Sequence, residues 1–317
     1  MSTPRPSTGT IAPVDILTLV FLGAVWGGSF LFVRIAGPEV GPVWTAEIRV
    51  AVAALALIAV VGRPTLRAAQ GRLLQFALVG LTFSAIPFAL VAFASLTLPT
   101  GLAALLNATT PLFTALVGAA WLGTRISPRV VVGLGFGIAS VFVIVGGAPL
   151  GVGPGAFVAA AASLGAAFSY AIAGTYVRRS MSDVRPMELA AGQMVASTLI
   201  LLPLAVAGGP PPVPSPGAAI SLVAVGILST ALAWPLFFRV LGRTSPTTAS
   251  TVTFIVPGFG ILWGGLVLGE TIGPATAVGF GLVLTSLALV SGIRLPLGSI
   301  GDRLAAPSRA RLLPSWR

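Results

Sequence analysis

Long apolar segments alternate with short connections along almost the whole chain. A helix needs about 20 apolar residues to cross a hydrocarbon core roughly 30 Å thick, and the chain holds ten segments on that scale. They lie near 14–33, 43–61, 73–94, 101–122, 130–147, 154–176, 187–207, 217–238, 247–268 and 273–293. Glycine and proline punctuate the connections, and the segments are too long for the strands of an outer-membrane barrel. The pattern predicts an all-α integral membrane protein with ten transmembrane helices.

Composition supports this fold class and narrows the chemistry. Of the 317 residues 56% are hydrophobic and 8% are charged, whereas a soluble domain carries roughly 25% charged residues. The chain has no cysteine and no histidine, which excludes disulfides and thiol chemistry and removes the commonest metal ligand. We therefore expect neither a metal nor a cofactor.

The arginines predict an orientation. Cytoplasmic connections of membrane proteins carry an excess of basic residues. With the N-terminus in the cytoplasm, the inside segments hold Arg5, Arg63, Arg67, Arg72, Arg125, Arg129, Arg178, Arg179, Arg185, Arg239, Arg243, Arg294, Arg303, Arg309, Arg311 and Arg317. Only Arg34 and Arg49 fall on the outer side or in the membrane. The net charge of +11 thus indicates topology and not nucleic-acid binding. We expect a multi-pass protein of the inner (cytoplasmic) membrane with both termini cytoplasmic and the first helix retained.

The chain contains an internal repeat. A shift of 146 positions superimposes part of the first half on the second, without a gap from about 84 to 138. The coincident pairs are Ala85 and Ala231, Ala103 and Ala249, Pro111 and Pro257, Leu122-Gly123 and Leu268-Gly269, Ile126 and Ile272, Pro128 and Pro274, Gly133 and Gly279, and Gly135 and Gly281. We therefore divide the chain into a first five-helix repeat over 1–148, a second over 149–294, and a cytoplasmic Arg/Pro-rich tail over 295–317.

Five helices is an odd number, so the second repeat is predicted to enter the membrane in the opposite orientation. Inverted repeats of this kind build secondary transporters, whose substrate site lies near the midplane where the halves meet. The prediction is two inverted five-helix repeats around a central cavity.

Several motifs resemble those of one family. They are Trp26-Gly27-Gly28-Ser29-Phe30, Gly101-Leu102-Ala103-Ala104-Leu105-Leu106 with Pro111-Leu112, Thr230-Ala231-Leu232-Ala233-Trp234 with Ala249-Ser250, and Leu268-Gly269-Glu270. In order and spacing they are similar to the EamA family of the drug/metabolite transporter superfamily. One position departs from the pattern, because Thr124 stands where the first half usually carries the glutamate of an L-G-E motif.

The resemblance implies a ten-helix basket with a central cavity, alternating access and small metabolites as cargo. Amino-acid exporters, including those for aromatic amino acids, are prominent members of the family. The expected partners are a small-molecule substrate and the lipid bilayer. No sequence feature fixes the oligomeric state, and a monomer is the working expectation.

Two prolines mark candidate kinks near the middle of the fourth and ninth segments. Pro111 and Pro257 lack the N–H that would bond the carbonyl four residues earlier, so they free the carbonyls of Asn107 and Thr253. A free carbonyl beside a polar side chain suits a polar group of a substrate. The alternative is a kink that neighbouring helices or a water molecule fill.

Aromatic and hydroxyl side chains inside the segments are further candidates for substrate binding: Trp26, Ser29, Tyr170, Trp234 and Trp263. An aromatic ring can stack on a ligand, and tryptophan or tyrosine can also donate a hydrogen bond. The alternative is packing between helices or contact with lipid.

Charges inside the membrane are costly and therefore mark functional candidates. Glu47 and Arg49 lie in the second segment, on different faces of the helix because they are two residues apart. Arg49 could bind a carboxylate with its fork of donors, or pair with Glu39 or Glu47. Glu188, near the start of the seventh segment, has the same ambiguity.

No acid lies at the centre of a segment, so we expect facilitated diffusion without proton coupling, with metabolites exported down their gradient. Proton-coupled drug or metabolite efflux and nucleotide-sugar-like transport on the same fold are the alternatives. A channel or a membrane-embedded enzyme is more remote, because thiol and metal mechanisms lack their residues and Gly27-Gly28-Ser29 does not match the G-x-S-x-G motif of hydrolases. We expect no enzymatic activity.

Overall fold

The computed structural model describes residues 12–61, 71–123, 126–147, 154–243 and 252–291. Thr124, the boundary predicted near 148 and the tail over 295–317 lie outside these residues. All regular structure in the described ranges is helical. The helices are α1 (Pro13–Val40), α2 (Pro42–Val61), α3 (Leu73–Val79), α4 (Ile86–Ala94), α5 (Thr100–Asn107), α6 (Thr110–Leu122), α7 (Pro128–Gly147), α8 (Pro154–Ser180), α9 (Pro186–Ala207), α10 (Pro216–Gly226), α11 (Ala233–Arg243), α12 (Val252–Leu268) and α13 (Pro274–Ser291).

Seven spans within the described residues are long and apolar enough to cross a membrane. They are Pro13–Val40, Pro42–Val60, Leu73–Ser95, Thr100–Leu122, Gly155–Ser180, Pro186–Ala207 and Pro216–Phe237. Three shorter apolar helices, Pro128–Val143, Val252–Leu268 and Pro274–Val290, coincide with the fifth, ninth and tenth predicted segments. The helical, membrane-spanning character is therefore confirmed, while ten crossings and inverted orientation stay predictions.

Proline and glycine set the helix ends. Seven helices begin at a proline, namely α1, α2, α7, α8, α9, α10 and α13. Proline suits this position because its missing N–H would have no partner in the first turn and its φ is already helical. Gly123 and Gly269, equivalent in the repeat, both adopt φ +66° directly after α6 and α12. Only glycine takes this left-handed conformation without strain, which ends each helix.

Two short π-helical segments interrupt the third and eighth predicted spans. Gly80–Ala85 joins α3 to α4, and Ile227–Leu232 joins α10 to α11. The shift of 146 superimposes the two segments to within one residue. A π-helical turn leaves backbone groups without their usual partners, and such turns are frequent at functional sites.

The contacts between helices recur when each helix is replaced by its equivalent in the other half. Helix α1 packs on α12 and on α10–α11, and correspondingly α8 packs on α5–α6 and on α3–α4. Three further contacts join equivalent helices of the two halves, α2 with α9, α5 with α12 and α7 with α13. The packing therefore agrees with the repeat in the sequence.

Two carboxylates join the halves at the predicted outer end. The Glu270 carboxylate accepts hydrogen bonds from the Thr100 N–H (2.9 and 2.8 Å) and hydroxyl (3.0 Å) at the start of α5. The Glu39 carboxylate accepts from the Ser215 N–H and hydroxyl, both at 2.7 Å, just before α10. A carboxylate at a helix N-terminus satisfies unpaired N–H groups and interacts favourably with the helix dipole.

At the predicted cytoplasmic end an exposed ion pair also joins the halves. Arg72 and Asp183 lie 2.6 Å apart, with two parallel hydrogen bonds. These bonds from the Arg72 guanidinium hold the pKa of Asp183 below its usual value. The halves are thus in contact at both ends of the bundle.

Helices α1 and α12 approach closely at Gly27. A Cβ atom built on Gly27 would lie 2.7 Å from the Phe259 Cβ and 2.8 Å from both the Gly260 N and the Val256 carbonyl oxygen. On the neighbouring Gly28 the nearest atom, in the Trp263 ring, would be 3.6 Å away, which is an ordinary contact. Small residues at such positions let membrane helices pack on each other's backbone.

Replacing Gly27 by alanine should therefore destabilise the protein. We expect Gly27→Ala to cost about 1–3 kcal/mol, because backbone atoms of α12 cannot move aside as a side chain can. Thermal unfolding of the detergent-purified protein measures the effect as a lower Tm. Gly28→Ala is the matched control and should leave the Tm unchanged; an equal loss in both variants would contradict the argument.

Candidate functional site

Aromatic rings from both halves form a continuous cluster in the middle of the bundle. The aromatic cluster consists of Trp26, Phe83, Phe88, Tyr170, Trp234 and Phe237. Ring centroids lie 6.1 Å apart for Trp26 and Trp234, 5.4 Å for Phe83 and Trp234, and 5.7 Å for Phe83 and Tyr170. Three of the aromatic side chains singled out in the sequence thus come together.

The aromatic cluster follows the repeat. Phe88 and Trp234 are equivalent under the shift of 146, and Trp26 and Tyr170 both lie eight residues before an arginine, Arg34 or Arg178. The contact of Trp26 with Trp234 at 6.1 Å has its counterpart in that of Tyr170 with Phe88 at 6.5 Å. The cluster therefore lies at the junction of the two halves.

Each π-helical segment receives hydrogen bonds from the other half. The Trp26 indole N–H donates to the Ser229 carbonyl at 3.1 Å, and the Ser229 hydroxyl donates to the Val25 carbonyl at 3.0 Å. In the other segment the Thr82 carbonyl accepts from the Ser169 hydroxyl at 2.6 Å. The backbone groups that the π turns leave unpaired thus fix α1 and α8 beside the cluster.

A buried arginine adjoins the aromatic cluster. The Arg49 guanidinium carbon lies 3.6 Å from the centre of the Phe88 ring, and Nε donates to the Thr230 hydroxyl at 3.1 Å. The same hydroxyl donates to the Val225 carbonyl at 2.9 Å, which fixes its orientation. Arg49 is 8% exposed and forms no ion pair within the described residues. It pairs with neither Glu39, which binds Ser215, nor Glu47.

Glu47 is also buried, at 3% exposure, and its Oε2 atom has no hydrogen-bond partner in the described structure. Glu188 differs, because Arg185 pairs with its carboxylate. Of the two carboxylates that the sequence left ambiguous, only Glu47 lacks a neutralising partner among the described residues.

Two of the predicted substrate-binding residues pack outside the aromatic cluster. The Trp263 indole N–H donates to the Ala24 carbonyl at 3.0 Å, and its ring stacks on Phe259 at 6.1 Å. Trp263 lines an apolar groove of about 380 Å³ between α1 and α12. The Ser29 hydroxyl donates to the Trp26 carbonyl of its own helix at 2.6 Å. These contacts favour a packing role for both side chains.

The two prolines have different effects on their helices. At Pro111 the helix is interrupted between α5 and α6, and the freed Asn107 carbonyl accepts from the Thr110 hydroxyl at 2.7 Å. The Nδ2 of Asn107 is buried without a partner in the described structure. At Pro257 helix α12 continues without a break past Thr253. The helix is thus interrupted at Pro111 and continuous through Pro257, while the roles of the two prolines as kinks stay predictions.

Sequence reasoning missed Phe83, Phe88 and Thr230. One signal was available for Phe88 and Thr230, because the gapless shift pairs Phe88 with Trp234 and Thr230 with Ser84. Nothing distinguishes Phe83 among the 17 phenylalanines of an apolar chain.

Comparison with known proteins gives one family. The model of the EamA-like transporter family matches residues 15–146 and again residues 157–292. YvbV, an uncharacterized transporter of Bacillus subtilis strain 168, is 26% identical over 189 residues, which are 57% of this chain. The chain spans 59% of the length of that relative. These matches point to a transporter rather than an enzyme.

A solved crystal structure shares the fold. It covers 92% of this chain and 99% of its own, with a TM-score of 0.63 and 19% sequence identity. At this identity the likeness concerns the fold alone.

The contribution of the Thr230 hydroxyl to stability can be compared with that of its repeat equivalent, Ser84. We expect Thr230→Val to destabilise the protein by about 1–3 kcal/mol, since it leaves the buried Arg49 Nε donor without its acceptor. Ser84 is equivalent to Thr230, but its hydroxyl has no partner in the described structure. Ser84→Ala should therefore leave the Tm unchanged or raise it. Equal Tm losses for the two variants would show that the Thr230 hydroxyl does not support Arg49.

Proposed function

Because the chain belongs to the EamA-like transporter family, we propose that it exports small metabolites, above all amino acids with aromatic or apolar side chains. Export proceeds across the inner membrane by alternating access, with both termini in the cytoplasm. The two halves of the bundle act as inverted repeats around a central substrate site. Residues of both halves line that site, so a change in their relative position exposes it to one side or the other.

The aromatic cluster is the observation that carries this proposal. Its rings come from both halves and meet at their junction, with the π-helical segments on either side. Aromatic rings attract the flat or apolar part of a ligand through stacking and burial. Trp26, Tyr170 and Trp234 are thus the substrate-binding residues that the contacts support best.

The contacts at the two ends of the bundle support alternating access. Glu270 with Thr100 and Glu39 with Ser215 join the halves at the outer end, and Arg72 with Asp183 joins them at the cytoplasmic end. Opening the site to either side requires one of these sets to separate. The Arg72–Asp183 and Glu39–Ser215 contacts are both exposed, so water screens them, whereas the Glu270–Thr100 contact is partly buried.

The acidic residues favour facilitated diffusion. Glu39 and Glu270 bind backbone N–H groups, and Asp183 and Glu188 pair with arginines. A proton carrier needs an acid that is free to exchange a proton with each side in turn. These four carboxylates are already committed to structural contacts.

Glu47 supports proton-coupled export as a second candidate. Its carboxylate is buried and one oxygen has no partner in the described structure. A buried carboxylate without a partner costs less in the protonated form, so this side chain could take up a proton. It is the acid on which coupling would depend.

Efflux from proteoliposomes loaded with labelled amino acids tests the proposed function. We expect selective, saturable release of aromatic and apolar amino acids compared with protein-free vesicles. Trp26→Ala and Trp234→Ala should each raise the KM by roughly 2–10-fold, because one aromatic contact contributes about 0.5–1.5 kcal/mol. Trp121→Ala is the control: Trp121 contacts Tyr176 and Arg179, away from the aromatic cluster, and its loss should leave the KM unchanged. No release from folded protein would refute export of amino acids.

A pH gradient separates the two coupling modes. Facilitated diffusion predicts that a gradient across sealed vesicles, without a substrate gradient, drives no accumulation. If accumulation occurs and Glu47→Gln abolishes it while exchange of substrate persists, the mechanism is proton-coupled through Glu47. Accumulation that persists in Glu47→Gln would exclude this residue as the coupling site.

A further inference from the structure

The repeat assigns a counterpart to Arg49. Helices α2 and α9 pack on each other, and their buried faces correspond under a shift of 144, the same shift that relates Trp26 to Tyr170. The buried positions that match under this shift are 46, 47, 49, 50, 53 and 57 in α2, with 190, 191, 193, 194, 197 and 201 in α9. Arg49 thus corresponds to Gln193, which is buried but neutral. The junction of the halves carries its positive charge on one side only.

The bonds of Arg49 leave one edge of its guanidinium unused. Nε is bound to the Thr230 hydroxyl, and the flat face lies on the Phe88 ring. The two terminal nitrogens, Nη1 and Nη2, make no hydrogen bond with any described residue. The edge between them presents two parallel N–H donors, which is the geometry that binds both oxygens of a carboxylate.

The surroundings of Arg49 favour a bound group that carries a single negative charge. Arg49 on Phe88 is the cation–ring contact that the described residues give to the aromatic cluster, and no described carboxylate pairs with Arg49. One guanidinium neutralises one negative charge, whereas a dianion such as a phosphate monoester would carry an uncompensated charge into a buried site. The Phe88 ring under the guanidinium continues into Tyr170 and Phe83, so apolar surface lies next to the cation.

We propose that Arg49 is the specificity-determining residue of the transport site and binds the carboxylate of a monoanionic or zwitterionic substrate. The apolar part of that substrate packs on the aromatic cluster. This inference rests on the proposed function, because it assigns a substrate class to the same site. It excludes organic cations and phosphorylated compounds, including nucleotide sugars, as cargo.

A ligand series that changes only the acidic group tests the carboxylate requirement. The probes are phenylalanine and phenethylamine, which differ by the carboxylate, and phenylacetate and phenylacetamide, which differ by charge at nearly constant shape. Phenyl phosphate is the dianionic probe. Equilibrium binding to the purified protein, and efflux from proteoliposomes, are measured for each compound.

We expect the wild-type protein to bind phenylalanine and phenylacetate roughly 10-fold or more tightly than their partners without a carboxylate, the difference expected for charge-assisted hydrogen bonds. Phenyl phosphate should not bind. Arg49→Gln should abolish the difference by weakening the carboxylates and leaving phenethylamine and phenylacetamide unchanged.

Lysine variants distinguish the effect of losing the paired guanidinium donors from the effect of losing the positive charge. They also reveal whether a variant has merely failed to fold. Arg49→Lys keeps the charge but loses the paired donors, so it should retain only part of the preference. Arg34→Lys is the matched control: the Arg34 Nη1 donates to the Ser95 carbonyl at 2.6 Å, at the predicted outer end, and the preference should stay intact. Arg49→Lys also keeps the test valid if Arg49→Gln does not fold, since a full preference in folded Arg49→Lys would contradict bidentate binding.

Two results would contradict carboxylate binding by Arg49 and still leave export of metabolites supported. Equal binding and release of phenylalanine and phenethylamine by the wild-type protein would show transport without a carboxylate anchor. A preference that survives in Arg49→Gln would place the anchor elsewhere. Conversely, carboxylate-selective binding that depends on Arg49, with no release from vesicles, would support the anchor and refute export.

Discussion

The burial of a positive charge where the two halves meet is the constraint around which the centre of this bundle is arranged. A guanidinium in a low-dielectric interior is stable only where its donors and its charge are compensated. The π-helical turn in the second half supplies the Thr230 hydroxyl, which donates to the Val225 carbonyl five residues earlier and accepts from Arg49. Phe88 supplies the face of its ring, a weaker compensation that aromatic rings give to cations. Thr230 lies within the π-helical segment Ile227–Leu232, whereas Phe88 lies in the regular helix α4 that follows the other π-helical segment.

Sequence reasoning reached the helical, membrane-spanning character and part of the aromatic cluster, and its failures have physical causes. Trp26, Tyr170, Trp234 and Arg49 were identifiable because their side chains are unusual inside apolar segments. Phe83 was not, since a phenylalanine facing the site and one facing lipid look the same in a sequence. The π-helical turns were not predicted, and their carbonyls at Ser229 and Thr82 accept hydrogen bonds from residues far away in the sequence.

The two prolines show why equivalence in a repeat does not guarantee equal geometry. At Pro111 the preceding residues are Thr109 and Thr110, whose hydroxyls donate to the Leu106 and Asn107 carbonyls at 2.6 and 2.7 Å. The Thr110 hydroxyl satisfies the Asn107 carbonyl, which Pro111 cannot pair, while the Leu106 carbonyl also accepts from the Thr109 N–H at 3.2 Å. The equivalent positions before Pro257 are Ile255 and Val256, which have no donor to offer, and there the helix stays intact. The interrupted helix is thus the one whose residues before the proline carry hydroxyl donors.

The proposed transport site likewise combines helix packing that follows the repeat with polar residues that do not. In the proposed alternating access, packing that is symmetric under exchange of the halves allows two related arrangements, one the counterpart of the other. If the polar residues were symmetric as well, a substrate would be bound equally in two opposite orientations. Arg49 opposite Gln193, and Thr230 opposite Ser84, remove that equivalence. If Arg49 binds the substrate as proposed, a charged substrate keeps one end on α2 in both arrangements, so the charge need not leave its partner while the access changes sides.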